Sequence, residues 1–265
     1  MANCKPMNKS SALSRSLGPL AGLSWALFIV TSALVAGVWI TGFGEGLLEE
    51  NSFKRAVPNP ELRSSLVLFS RAIDPAWIVL GAVAIYLGTA RSEGLAMARR
   101  WAVVIMVIGF GLSALSVRFQ WPLGPVYFPE NLGWTIGPIP FGIPLLWLVI
   151  IAGAREAALL ILPRAGHAMI AFTTGLLTLL TVANLDPVAW KYRAWWLWYP
   201  KPFEGPNHAP WQSYLTWLLA SVTLAWIMRS NRVLPQGGKR PWSPVIVWTV
   251  LNLTALLTHI ALRVR

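Results

Sequence analysis

The chain has 265 residues, of which 55% are hydrophobic and only 12% charged. A soluble domain carries about 25% charged residues, so a water-soluble globular protein is excluded, and the length of the apolar runs points to a bilayer. The net charge of +12 does not indicate nucleic acid: the Lys and Arg residues flank apolar runs, where they meet anionic headgroups and set topology, and no basic stripe with interleaved aromatics could track a phosphate backbone.

The expected fold is all-α, a polytopic membrane helix bundle of about seven transmembrane helices. Residues 1–17 form a basic cytoplasmic tail, and residues 18–265 a single transmembrane domain. The tail holds Cys4, the one cysteine, so an intramolecular disulfide is excluded and the thiol reads as inert. The first apolar stretch, 18–41, is far longer than the h-region of a signal peptide and is predicted to be an uncleaved span. The second, 66–90, contains Arg71 and Asp74 at i, i+3, a spacing that lets them neutralise each other, and Pro75, which disturbs the backbone ladder. The third, 101–117, is short and leads into the loop RFQWPLGPVYFPENLGWTI (118–136). Within that loop Glu130 is either a solvated acid or a carboxyl near a site.

The fourth stretch, 137–154, is followed by a short basic turn, and the fifth, 168–185, ends in the sequence NLDP. Asp186 is there either a helix stop signal or a carboxyl at the mouth of an aromatic pocket, where it can donate a proton if its surroundings favour the neutral acid. The loop DPVAWKYRAWWLWYPKPFEGPNHAPW (186–211) holds five of the 16 tryptophans. That density fits an interfacial belt and exceeds what anchoring requires. The sixth stretch spans 212–228 and the seventh 243–262. Asn252 and His259 lie seven apart on one face of the seventh, a spacing suited to interhelical hydrogen bonds.

Lys and Arg are more abundant, 12 against 9, in the segments that share a side with the N-terminus, Arg155 among them, led by the Arg99–Arg100 cluster and the run from Arg229 to Arg240. The expected orientation is therefore N-terminus inside, in a bacterial or archaeal cytoplasmic membrane. Several chemistries are excluded. The three histidines lie too far apart in sequence to ligate metal from one helix face, no paired-aspartate motif supports diphosphate chemistry, no Walker or dinucleotide turn is present, and the last span has no lysine to hold retinal. Neither a metal nor a cofactor is expected.

The segment YFPENLGWTIGPIPFGIPLLWLVI (127–150) resembles the "LGP…GVP…PLxW" element of the carotenoid-biosynthesis integral membrane proteins, a family that includes carotenoid 1,2-hydratases acting on γ-carotene and on bacterioruberin precursors. The segment NLDPVAWKYRAWWLWYPKPFEGPNHAPWQSYLTWLL (184–219) is similar to that family's second element, a "DLDP" helix end, a Trp-rich "W.W" and a "P..N(Y/F)..W" that opens the next span. The matched positions are Gly133, Gly142, Pro144 and Trp147, then Asp186, Pro187, Trp196, Trp198, Pro210, Tyr214 and Trp217. The resemblance departs at two places: the family places an acidic residue in the helix before the first element, around Ser113, where no Asp or Glu occurs between Glu93 and Glu130, and its "PFG.Y.Y" element is altered here to PLGPVYF (122–128).

The resemblance implies hydration of a terminal C=C of an acyclic carotenoid end group by acid protonation and water capture, a hydro-lyase reaction that needs no cofactor. It implies Asp186 as the acid, with Glu130 as a second candidate, and Trp195, Trp196 and Trp198 as the pocket wall, where aromatic faces stabilise a cation. Trp134, Trp147, Tyr214 and Trp217 complete the candidate substrate-binding set, with Asn131 and Gln212 as polar groups to position water. The implied partners are a lipophilic carotenoid or isoprenoid substrate, the lipid bilayer and other carotenoid-pathway enzymes, with no nucleic acid. The competing expectation is a non-enzymatic carotenoid-binding or transport protein.

Overall fold

The structure is a computed structural model that describes residues 9–41, 59–198, 209–228 and 242–264. Cys4 and part of the Trp-rich loop lie outside the described residues. Seven α-helices follow in order among those described: α1 (Lys9–Thr41), α2 (Pro60–Glu93), α3 (Leu95–Phe119), α4 (Gly142–Ile161), α5 (His167–Asp186), α6 (Trp211–Ile227) and α7 (Ser243–Val264). Six of them contain segments long and apolar enough to cross a membrane. The remaining one, α6, has 17 residues and sits at the lower end of the spanning range. The protein is an all-α polytopic membrane bundle.

Its outer surface shows why. Leu20, Leu23, Leu27, Val30 and Leu34 stand exposed along one face of α1, and Phe172, Leu176 and Leu180 do the same on α5. A stripe at three- and four-residue spacing that is apolar and faces outward reverses the pattern of a soluble protein and matches a lipid solvent. The centre is α4. Its spanning window is 89% buried, against 28–44% for the other five, and it packs on α2, α3, α5 and α7. A helix apolar on every side is the one expected in the middle.

Local chemistry fixes the helix ends. Asn59 caps α2, its Oδ1 accepting from the backbone N–H groups of Glu61 and Leu62, with Pro60 in the first helical position. At 34 residues, α2 is about 51 Å long at 1.5 Å per residue, well beyond a hydrocarbon core of about 30 Å. Gly94, at φ 93°, is the whole joint between α2 and α3. The basic loop expected at 91–100 is therefore helix, with Arg91 at the end of α2 and Arg99 and Arg100 in the first turns of α3.

Two further expectations are corrected. Residues 137–141 are not the start of a span but part of a tight hairpin, in which β2 (Thr135–Ile136) pairs with β3 (Ile139–Pro140) around Gly137 at φ 60°. Arg155 is not a loop cation. It lies within α4 at 4% exposure, bonded through Nη1 to Glu93 and Glu156 at 3.0 Å each, with its guanidinium 3.7 Å from the centre of the Trp101 ring. The helix continues past it because the charge is paired inside the bundle. Asn252 makes an interhelical side-chain bond of the kind its position suggested, its Nδ2 donating to Thr181 Oγ1 at 3.2 Å, and its backbone carbonyl accepts from Asn184 Nδ2 at 2.8 Å, whereas His259 Nδ1 has no partner among the described residues.

Candidate active site

The two aromatic loops meet at one end of the bundle. In the first, β1 (Val126–Tyr127) pairs antiparallel with β4 (Leu197–Trp198) of the second. Ser116 on α3 ties the first loop down, its Oγ accepting from the Leu123 N–H at 2.9 Å, and Thr216 on α6 donates to the Pro122 carbonyl at 2.8 Å. The second loop leaves α5 through a widened π turn, Pro187–Tyr192, and then bends at Ala194, which adopts φ 47°. A left-handed alanine costs about 1–2 kcal/mol. Asn131 offsets this by donating from Nδ2 to the carbonyls of Arg193 and Ala194, at 3.3 and 3.1 Å.

Beyond that bend, consecutive tryptophans serve two different carboxylates. Trp195 Nε1 donates to Asp74 Oδ2 at 2.9 Å, whereas Trp196 Nε1 donates to Asp186 Oδ1 at 2.8 Å. The Asp74 centre is a closed anion site. Asp74 is 2% exposed, accepts from Trp39 Nε1 at 3.1 Å, and forms an ion pair with Arg193 at 2.7 Å. Trp77 packs edge-on against Trp39. The neighbour expected from sequence was Arg71, whose side chain lies outside the described set; among the described residues the cation on Asp74 is Arg193, 119 residues further along.

The Asp186 centre is different. Asp186 ends α5 and is 2% exposed, and Trp198 Nε1 joins Trp196 on Oδ1 at 3.0 Å. The Ala209 backbone N–H and the Tyr214 hydroxyl also lie within reach of this carboxyl. Among the described residues no Lys or Arg pairs with it. It lines a cavity of about 20 Å³ together with Ser113, Leu123, Val126, Phe128, Ile143, Leu146, Trp147, Val182, Trp196, Trp198, Ser213 and Trp217. Trp147 and Trp217 stack face to face on that wall, with 3.7 Å between centroids and 16° between planes. Gly109 admits the stack, since a Cβ there would lie 2.5 Å from Trp147 Cγ.

The structure thus gathers Asp186, Trp147, Trp196, Trp198 and Trp217 around one cavity, with Tyr214 beside it. Trp195 lies one layer away on Asp74. Gln212 lines a separate outward-facing groove of about 380 Å³ between α3 and α6, with Ile108, Leu112, Trp121, Trp211, Leu215 and Leu219 among its other walls. Glu130 and Asn131 are exposed, and Trp134 is 90% exposed, outside both spaces.

Two cavity residues are not singled out as binding groups by the sequence: Ser113 is marked only as the place where the family's acid is absent, and Ser213 not at all. The hydroxyls of Ser113 and Ser213 are buried and have no partner among the described residues, a condition that costs about 1–3 kcal/mol per group. A serine in an apolar span is too common to single out. Among the described residues no group of three His, Cys, Asp or Glu side chains could hold a metal.

The family pattern for carotenoid biosynthesis proteins matches residues 73–264. The chain belongs to the carotenoid biosynthesis protein family. The matched region takes in both carboxylates and every wall of the cavity. This carotenoid biosynthesis protein is also similar to a bisanhydrobacterioruberin hydratase from Haloarcula japonica, at 29% identity over 195 residues, which covers 72% of this chain and 59% of that relative. The chain therefore spans less than two thirds of the relative's length. No solved structure matches it.

Proposed function

We propose that this carotenoid biosynthesis protein hydrates a terminal carbon–carbon double bond of an acyclic carotenoid end group, from a cytoplasmic membrane in which its N-terminus faces inward. The observation that carries the reading is Asp186: a carboxyl at 2% exposure in an aromatic cavity, held by two indoles and paired with no cation among the described residues. Taking an unpaired carboxylate out of water is costly, so a carboxyl in this setting is suited to act as an acid. Asp74, by contrast, is ion-paired with Arg193 and lines no part of that cavity. Both indole bonds reach the same oxygen, Oδ1.

The chemistry follows in order. Asp186 gives its proton to the less substituted alkene carbon, and the electron pair of the double bond forms the new C–H bond. The tertiary carbon becomes cationic beside the faces of Trp147, Trp217, Trp196 and Trp198, each worth about 0.5–2 kcal/mol toward a cation when desolvated. Water forms the C–O bond and returns a proton to Asp186, so the acid is restored and the net change is addition of one water. The polyene chain lies in the α3–α6 groove, whose walls share helices with the cavity: Leu112 faces the groove and Ser113 the cavity, as do Gln212 and Ser213. The hydratase similarity supports the same reaction class.

One observation favours a second reading, a carotenoid carrier. At about 20 Å³ the cavity has room for a water, which needs about 10–15 Å³ on the same measure, but not for an isoprenoid end group. Hydration therefore requires the aromatic wall to open. The test is expression in a host that accumulates lycopene or γ-carotene, followed by chromatography and mass spectrometry. A product heavier by one water, lost when Asp186→Asn is made in a protein still present in the membrane, is expected. Equal hydration by the variant overturns the assignment of the acid, and unmodified pigment copurifying with both proteins supports the carrier.

A further inference from the structure

We infer that Ser113 and Ser213 form a binding site for the single water molecule that hydration consumes. The inference rests on the hydration reading and adds to it the residues that hold the nucleophile. Both serines are fully buried and line the cavity that Asp186 lines. They come from different helices, Ser113 from the last two turns of α3 and Ser213 from the first turn of α6.

Their hydroxyls depart from the habit of this bundle. Buried Ser32, Ser116, Thr174, Thr181, Ser221 and Thr258 each donate to the carbonyl four residues back, the usual way a helix in an apolar medium satisfies a hydroxyl. Ser113, well inside its helix, makes no such bond; Ser213, in the first turn of α6, has no helical carbonyl four residues back; and neither has a partner among the described residues. Thr178 and Ser243 share that condition, but neither lines the cavity.

Size and chemistry then agree. A buried water needs about 10–15 Å³ and two to four polar partners; the cavity offers about 20 Å³, and two hydroxyls and a carboxyl supply three. The other walls are apolar or aromatic, Leu123, Val126, Ile143, Leu146 and Val182 among them, so a second water would find little to bond. This has a consequence for the cation. A tertiary carbocation either captures water, giving the alcohol, or loses a neighbouring proton, giving an alkene back. A water held by the two serines beside Asp186 directs the outcome to the alcohol, its oxygen pair forming the C–O bond and its surplus proton passing to the carboxylate.

The test separates the two steps. The wild-type chain and the variants Ser113→Ala, Ser213→Ala and the double variant are incubated in membranes with lycopene in deuterated water, and both alcohol and recovered alkene are analysed for deuterium. The wild type is expected to give alcohol carrying deuterium on the protonated carbon. Each alanine is expected to lower the ratio of alcohol to deuterium-exchanged alkene by about tenfold, the worth of one hydrogen bond, while exchange itself continues, and Ser213→Thr, which keeps a hydroxyl, is expected to retain the wild-type ratio. An unchanged ratio in the double variant overturns the water site and leaves the hydration reading standing. Loss of exchange together with hydration in the alanine variants also overturns it, because the serines would then support the acid or the fold. A wild type that neither adds water nor exchanges deuterium removes the hydration reading, and the water site with it.

Discussion

Replacing Arg193 by leucine tests the reading of the Asp74 centre. The ion pair has a 2.7 Å Nε–Oδ2 contact and side-chain exposures of 12% and 2%, and Arg193 Nη2 also donates to the Ser70 carbonyl at 3.2 Å, in the turn that Pro75 interrupts. A surface pair would be worth about 0–1 kcal/mol. Here the partner left behind is a buried carboxylate, and stranding one costs about 3–5 kcal/mol. At about 1.4 kcal/mol per tenfold, that is two to almost four orders of magnitude in the folded-to-unfolded ratio. The assay is reversible unfolding in mixed micelles, titrated with a denaturing detergent and followed by circular dichroism. Asp74→Asn combined with Arg193→Leu removes both charges and keeps an acceptor for one indole, so the double variant is expected to be more stable than the sum of the single losses by about 0.5–3 kcal/mol. A loss below about 1 kcal/mol for Arg193→Leu, or strict additivity in the cycle, would refute the idea that this pair is desolvated and locks the Trp-rich loop.

Two other outcomes follow from the cavity wall and its surroundings. Gly109→Ala places a methyl 2.5 Å from Trp147 Cγ; overpacking of this kind costs about 1–3 kcal/mol, and the expected result is lower stability in the same assay together with reduced pigment conversion. Glu130→Gln and Trp134→Ala alter exposed side chains outside the cavity, and both are expected to keep wild-type pigment conversion, with stability within about 0.5 kcal/mol.

The spans were legible because lipid demands continuous apolar helix, and the family elements drew attention to Asp186, Trp147, Trp196, Trp198 and Trp217, which share one cavity. What the sequence concealed was partnership across distance. The i, i+3 pairing of Asp74 with Arg71 involves a side chain outside the described set, whereas the bend at Ala194 brings Arg193 to Asp74, and nothing at residue 74 signals a cation 119 positions away. Arg155 reads as a topology-setting loop charge until Glu93 is seen beside it, 62 residues distant in the chain. Gly94 reads as the middle of a basic loop, yet one glycine at positive φ lets two long helices adjoin. Ser113 and Ser213 illustrate the same limit, since a hydroxyl becomes informative only once its missing partner is known.

The adjacent pair Trp195 and Trp196 allows the two carboxylates to be told apart by experiment. Because the chain turns at Ala194, one indole serves the charge-compensated Asp74 and the next serves Asp186, at 2.9 and 2.8 Å. Phenylalanine at either position keeps most of the ring and deletes the N–H. Trp195→Phe withdraws one of the donors on a buried anion, a bond worth about 1.5–3 kcal/mol, and is expected to lower stability by that amount with hydration per folded molecule unchanged. Trp196→Phe withdraws one of two indoles on Asp186, which in the proposed mechanism receive the negative charge left by proton transfer. Its expected effect is on rate, a slowing of about tenfold or more, while Trp198 still holds the carboxyl in place. Measuring unfolding and pigment conversion on both variants gives four numbers, and the assignment requires them to cross. If both substitutions reduce stability and rate alike, the two centres act as one structural unit, and Asp186 loses the distinction on which its role as acid depends.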